Sequence, residues 1–221
     1  MNGAEYIAEF FYKIGSKKAF VVTGGACAFI IDAIARNKNT EYYPFQHEQA
    51  AAMAADSLWK IDKTIGVTVV TSGPGATNLI TGIACSYFDS IPTIHITGQV
   101  NQNEKKIYQG ASVRQAGFQE TNIVDMVKPI TKYAVHVTSV EELKFELAKA
   151  YEIAISGRMG PVLIDVPMDV QQADAGSSII LNNQKSVKMD DEVKDNIQHL
   201  ISNFFKGSQR PLVLFGAGVG L

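Results

Sequence analysis

Glu48 heads the run FQHEQAAAMAADSLW (45–59), in which Ala50, Ala51, Met53, Ala54 and Ala55 are small or apolar and point to close burial. A carboxylate taken out of water is costly unless it is paired, protonated or put to use, so this acid is a candidate for proton chemistry. The plain alternative is a first-turn glutamate that gains about 0.3 to 1 kcal/mol from the helix dipole. His47 beside it has no second His, Cys or Asp at ligand spacing, so the sequence assigns no metal site there. Two glycine turns extend the set: Gly24, Gly25 and Ala26 after one apolar run, and Thr71, Ser72, Gly73, Pro74 and Gly75, with Asn78, after another. Ser72 reads as a helix N-cap and Pro74 as a first-turn residue, so a bare strand-to-helix turn explains the second set equally well. Neither turn is a nucleotide signature. The Gly-Lys-Ser/Thr ending of a P-loop is missing, TGGACA (23–28) lacks the three-glycine spacing of a dinucleotide fingerprint, and FGAGVG (215–220) matches it only loosely.

The elements that must position these residues alternate along the chain. Strand-like runs are predicted at 18–23, 41–45, 64–71, 91–98, 130–137 and 160–167, with helical patterns between them. This predicts an α/β fold: a doubly wound, mostly parallel six-stranded sheet with helices on both faces. Glu48 and both glycine turns then fall at carboxyl ends of strands, where open α/β sheets bind ligands. A polar loop over 99–115 precedes GFQETNIVDMV (117–127). Three parts are expected: a domain over 1–170, a polar linker over 171–189, and over 190–221 a helix and a strand that open a second α/β domain. The chain then reads as a fragment of a longer enzyme, against the alternative of a naturally short protein with a C-terminal appendage.

Composition excludes some classes. A formal net charge of −2 over 221 residues offers no basic face for nucleic acid. No apolar run approaches membrane-spanning length, and Ile7, Phe10, Phe11 and Ile14, interleaved with Glu5 and Glu9, make the N-terminus an amphipathic helix rather than a signal peptide. Cys27 and Cys85 have no partner motif and read as buried thiols of a cytoplasmic protein.

Four blocks, FQHEQAAAMAADS, TSGPGATNLITGIACSYFDSIPTIHITGQV, GFQETNIVDMVKPITKY and GRMGPVLIDVPMDVQ, together resemble the N-terminal, pyrimidine-binding domain of thiamine-diphosphate enzymes, most closely the acetohydroxyacid (acetolactate) synthase branch. The resemblance implies that Glu48 hydrogen-bonds a ring nitrogen of the cofactor's aminopyrimidine and favours the imino tautomer. That tautomer removes the thiazolium proton. The carbanion attacks a 2-oxo acid, pyruvate above all, carbon dioxide leaves, and the enamine attacks a second carbonyl, a step of branched-chain amino acid biosynthesis.

The same resemblance places Gly25 on the thiazolium side and Thr71, Ser72, Gly73, Pro74, Gly75 and Asn78 beside the pyrimidine. It places Gly24, Gly25, Ala26, Phe118 and Gln119 in the substrate pocket. Gln119 would donate to a substrate carbonyl or carboxylate, or would simply be a polar helix-start residue. Magnesium would be bound through the diphosphate by a third domain, whose glycine-aspartate-glycine motif this chain does not contain; FAD, if used, would contact the central region. The site would lie in a homodimer or homotetramer, so the chain alone should be inactive, with Glu48 solvated, protonated or paired across a dimer contact. Thr23 and Asn101 stand where that branch usually has proline, and the segment over 101–116 is longer than in that branch. A changed acceptor, including a sugar-derived ketone, fits that difference. The rivals are a 2-oxo acid decarboxylase of the same superfamily and a non-catalytic metabolite-binding module.

Overall fold

The computed structural model describes residues 1–106, 113–181, 191–214 and 216, in two compact units, Met1–Asn182 and Asn183–Leu221. Helix α1 (Gly3–Lys13) opens on a reciprocal cap: Asn2 Oδ1 accepts from Glu5 N–H, and Glu5 Oε2 accepts from Asn2 N–H. Strand β1 (Lys18–Val21) and a 3₁₀ turn (Gly25–Cys27) lead into α2 (Ala28–Asn37). Then come β2 (Glu41–Pro44), α3 (Glu48–Asp62), β3 (Gly66–Val70), α4 (Pro74–Asn78), α5 (Ile80–Phe88) and β4 (Thr93–Gln99). A short α6 (Gln102–Lys106) occupies the start of the expected polar loop, and the residues over 107–112 lie outside the described ones. Helix α7 (Ile123–Val127), β5 (Tyr133–His136), α8 (Val140–Ile155), β6 (Val162–Pro167) and α9 (Met168–Gln172) complete the first unit's elements.

All six strands pair in parallel, in the order β2-β1-β3-β4-β6-β5. The doubly wound sheet is therefore as the alternation predicts, and β1 and β3 flank the point where the strand order reverses. Side chains alternate across it. Ala19, Val21, Val67, Val69, Ile94, Ile96, Val162, Ile164 and Val166 join the larger core, with α1, α2 and α8. The opposite face packs Val70 and Leu163 against α4, α5 and α7, and Phe20 against α3. That face is also polar inside: Thr68, Thr93, His95, Thr97 and Asp165 are all buried. His95 Nδ1 lies 2.7 Å from Thr68 Oγ1 and its Nε2 lies 2.9 Å from Thr93 Oγ1. Burial pulls its pKa down to about 3.

The small residues of α3 serve close packing. A Cβ on Gly66 would lie 2.2 Å from the Ala55 carbonyl oxygen, and one on Gly82 would lie 2.3 Å from Ala52 Cβ. The helical period buries Ala51, Ala52, Ala55 and Leu58, but turns Ala50 and Met53 outward and leaves Ala54 half-buried, so burial of the whole alanine run is corrected to one face. Cys27 is buried and its thiol is pushed up to about 12 by desolvation, whereas Cys85 is only half-buried on α5.

The stretch expected to be a linker packs on the first unit through Gln171 and Ala175, both buried; residues 182–189 of it lie outside the described ones. In the second unit α10 (Asp191–Lys206) is amphipathic, with Ile197, Leu200, Ile201 and Phe204 exposed. Residues 211–214 form no strand, because no neighbour in that unit's described residues offers a hydrogen-bonding ladder; Phe215 and 217–221 lie outside them. Among the described residues no helix is long and apolar enough to cross a membrane.

Candidate functional site

Glu48 begins α3 because His47 caps the helix, its Nδ1 accepting from Gln49 N–H at 3.2 Å. The first-turn position aims the carboxylate back over the carboxyl end of β3 rather than into solvent, and Glu48 is 8% exposed. Its Oε2 accepts from Asn78 Nδ2 at 2.9 Å. The expectation that Glu48 would be solvated is thus corrected: α4 brings a partner from within the chain. No donor among the described residues reaches Oε1, which faces Gly75.

Glycine fits closely at that point. A Cβ on Gly75 would stand 3.2 Å from Glu48 Oε1 and 2.8 Å from Thr71 Cγ2. Thr71 in turn ties β3 to the turn after β1: its Oγ1 accepts from Ala26 N–H at 3.2 Å, and a Cβ on Gly24 would collide with its side chain at 2.5 Å. The turn is pressed down from the other side as well. A Cβ on Gly98 would lie 2.0 Å from the Ala26 oxygen, which accepts from Gln171 Nε2 at 2.8 Å. Gly25 itself is exposed, with open space where a Cβ would be.

The second glycine turn is not capped by Ser72. Gly73 occupies the cap position of α4, with φ 64° and ψ −129° and no side-chain cap, while Ser72 is buried and Pro74 takes the first turn. Those angles are open only to glycine, and they let a second segment close in. A Cβ on Gly73 would meet Gln119 Cβ at 2.7 Å, and Gln119 is itself left-handed, at φ 55°. Two uncommon backbone conformations therefore face each other where the site closes. Phe118 beside them is 78% exposed, and the Gln119 amide makes no hydrogen bond to the described residues.

The structure thus gathers Gly24, Ala26, Glu48, Thr71, Gly73, Gly75, Asn78 and Gln119 around the β1/β3 switch point, with Gly25, Ser72, Pro74 and Phe118 adjacent in chain. The expectation from residue types missed three residues on the same sheet edge: Gln99, His136 and Asp165. The available signal was an acid inside the apolar strand VLIDVP and a glutamine ending the fourth strand. No group of three or more His, Cys, Asp or Glu among the described residues could hold a metal ion.

The arrangement can hold an aromatic nitrogen base. One carboxylate oxygen is fixed by Asn78, and the other, which meets no donor among the described residues, lies beside Gly75, which has no side chain to cover it. The family model for the thiamine pyrophosphate enzyme N-terminal TPP binding domain matches residues 1–126. The chain is 34% identical over 222 residues to the acetolactate synthase isozyme 2 large subunit of Escherichia coli (strain K12), covering 100% of this chain and 38% of that one. It is 34% identical to the mitochondrial acetolactate synthase of Schizosaccharomyces pombe, and 33% identical to the acetolactate synthase large subunit of Lactococcus lactis. The match covers 99% of this chain in both cases, and 33% and 37% of those relatives respectively. The chain therefore belongs to the thiamine pyrophosphate enzyme family, through its N-terminal TPP-binding domain.

Proposed function

We propose that this chain is the N-terminal part of an acetolactate-synthase-like enzyme that decarboxylates a 2-oxo acid, pyruvate, and joins the remaining two-carbon unit to a second carbonyl carbon. One observation carries the reading: a buried carboxylate, Glu48, with one oxygen fixed by Asn78 and the other, beside Gly75, meeting no donor among the described residues. Thiamine diphosphate, when bound, supplies the electron sink for the pair released as carbon dioxide leaves.

The protein's own share is positional and electrostatic. Glu48 shares a proton with the pyrimidine through Oε1, and Asn78 keeps the carboxyl group from turning away. Gly75, with no side chain, would leave Oε1 uncovered for the pyrimidine, and the open face of Gly25 would leave room on the thiazolium side. Gln119, with an uncommitted amide, donates to the carboxylate or carbonyl of the 2-oxo acid. Magnesium, and FAD if it is used, belong to parts of the enzyme outside this chain. A homodimer or homotetramer completes the site, and the chain by itself is inactive.

The test uses the full-length protein with pyruvate, thiamine diphosphate and magnesium. Acetolactate as product supports the reading, acetaldehyde alone assigns a simple decarboxylase, and absence of cofactor binding removes both. Glu48→Gln should lower kcat roughly 10²- to 10⁴-fold. Turnover at the unmodified rate in that variant would refute the role given to Glu48.

A further inference from the structure

Gln99, the last residue of β4, is 2% exposed, and both ends of its amide are engaged. Nε2 donates to Asp165 Oδ2 at 3.1 Å and to the Thr121 carbonyl at 3.0 Å, and Oε1 accepts from Val100 N–H at 3.1 Å. Its orientation is chemically determined, since a flipped amide would set an oxygen against a carboxylate and a carbonyl. Asp165 is anchored in turn: Thr97 Oγ1 donates to Oδ1 at 2.6 Å, and His136 Nδ1 lies 2.8 Å from Oδ2.

The segment Gln99 reaches is a turn that holds its own shape. Glu120 Oε2 accepts from the N–H groups of Ala116 and Gly117, Glu120 N–H donates to the Gly117 carbonyl, and so does Gln115 Nε2. A turn closed on itself still needs attachments to set where it lies. Gly117 rests on Val100 and Glu104, Gln119 rests on Gly73, and the Thr121 carbonyl hangs on Gln99.

We infer that Gln99, clamped by Asp165, is a positioning residue that sets the 115–121 turn over Gly73 and so presents Phe118 and Gln119 to the substrate. The inference rests on reading Phe118 and Gln119 as substrate-side residues. Because the turn keeps its internal bonds, loss of the Gln99 donors displaces it without unfolding it. The effect therefore falls on substrate capture more than on the chemical step.

The experiment compares Gln99→Met, of similar length but without N–H groups, with Thr97→Val, which removes a different donor from Asp165 and does not touch the turn. Gln99→Asn, too short to span both acceptors, serves as second variant if the methionine protein does not fold. In the full-length enzyme Gln99→Met should raise KM for pyruvate about tenfold, the equivalent of one lost hydrogen bond, with kcat held within about threefold. Amide hydrogen exchange in the 115–122 peptide should rise about tenfold in Gln99→Met and stay unchanged in Thr97→Val. Equal KM and equal exchange in the two variants would overturn the inference and reduce Gln99 to a stabilising residue. If the unmodified enzyme does not turn over pyruvate, the proposed reaction fails, and the exchange comparison still decides whether Gln99 holds the turn.

Discussion

Glu48 and Asp165 are carboxylates at the same edge of the sheet, 8% and 2% exposed, and they are satisfied differently. Asp165 has donors on both oxygens, from Thr97, Gln99 and His136, all supplied by strands. Among the described residues Glu48 has one, from Asn78 on a short helix, and an oxygen left without a donor beside a glycine. A buried acid whose lone pairs are filled by protein is part of the scaffold; one left half-filled next to space is held ready for something else. His95 falls with Asp165, because both of its ring nitrogens meet threonine hydroxyls.

The largest expected effect tests this contrast directly. Asp165→Asn turns an amide toward donors that the carboxylate now accepts, and should cost about 3 kcal/mol in urea unfolding. Glu48→Gln should cost less than about 1 kcal/mol in the same measurement, since Asn78 keeps an oxygen to bond. Equal losses in the two variants would erase the distinction drawn here.

Acid should act on the interior cluster next. The ordinary histidine value is 6.5 and the folded value of His95 is about 3, so between those pH values the unfolded chain binds a proton that the fold refuses. The stability His95 contributes is therefore complete above pH 6.5 and drains away as pH falls toward 3, by about 2 kcal/mol between pH 7 and 5. Unfolding free energies at those two pH values, compared with those of His95→Gln, isolate this share; an unchanged pH slope in the variant would assign it to other groups.

The smallest effect sharpens the open side of the comparison. Gly75→Ala crowds Thr71 by design of the turn, yet gains helix propensity, so net stability should shift by no more than about 1 kcal/mol. Thiamine diphosphate affinity of the full-length protein, measured by titration calorimetry, should nonetheless drop about tenfold, which corresponds to 1.4 kcal/mol. Unchanged affinity would mean that the space beside Glu48 Oε1 is not where the cofactor's ring lies.

Much of the molecule was legible in residue order. Glycines breaking apolar runs marked the βα turns, and a lone acid ahead of small residues marked Glu48, because burial of charge is costly enough to need a reason. The helical period of α3 was readable too, although composition alone overstated how many of its alanines face inward. What escaped were relations across the sheet. Ser72 looked like a cap, but a glycine at φ 64° took that place so that Gln119 could approach. Gln99 was expected to open the polar loop, but β4 runs on to it, and register sets Thr97 of the same strand opposite Asp165.

Local physics by itself determined that this chain is a parallel α/β protein with its glycine turns and one costly acid at the carboxyl ends of its strands, because hydrophobic period, glycine breaks and buried charge are short-range signals. Only the tertiary structure decided the strand order that puts β1 beside β3, the Asn78 bond that keeps Glu48 half-filled, and the Gln99 link to the 115–121 turn. Those depend on residues tens of positions apart meeting at about 3 Å, a distance that packing sets and periodicity does not encode.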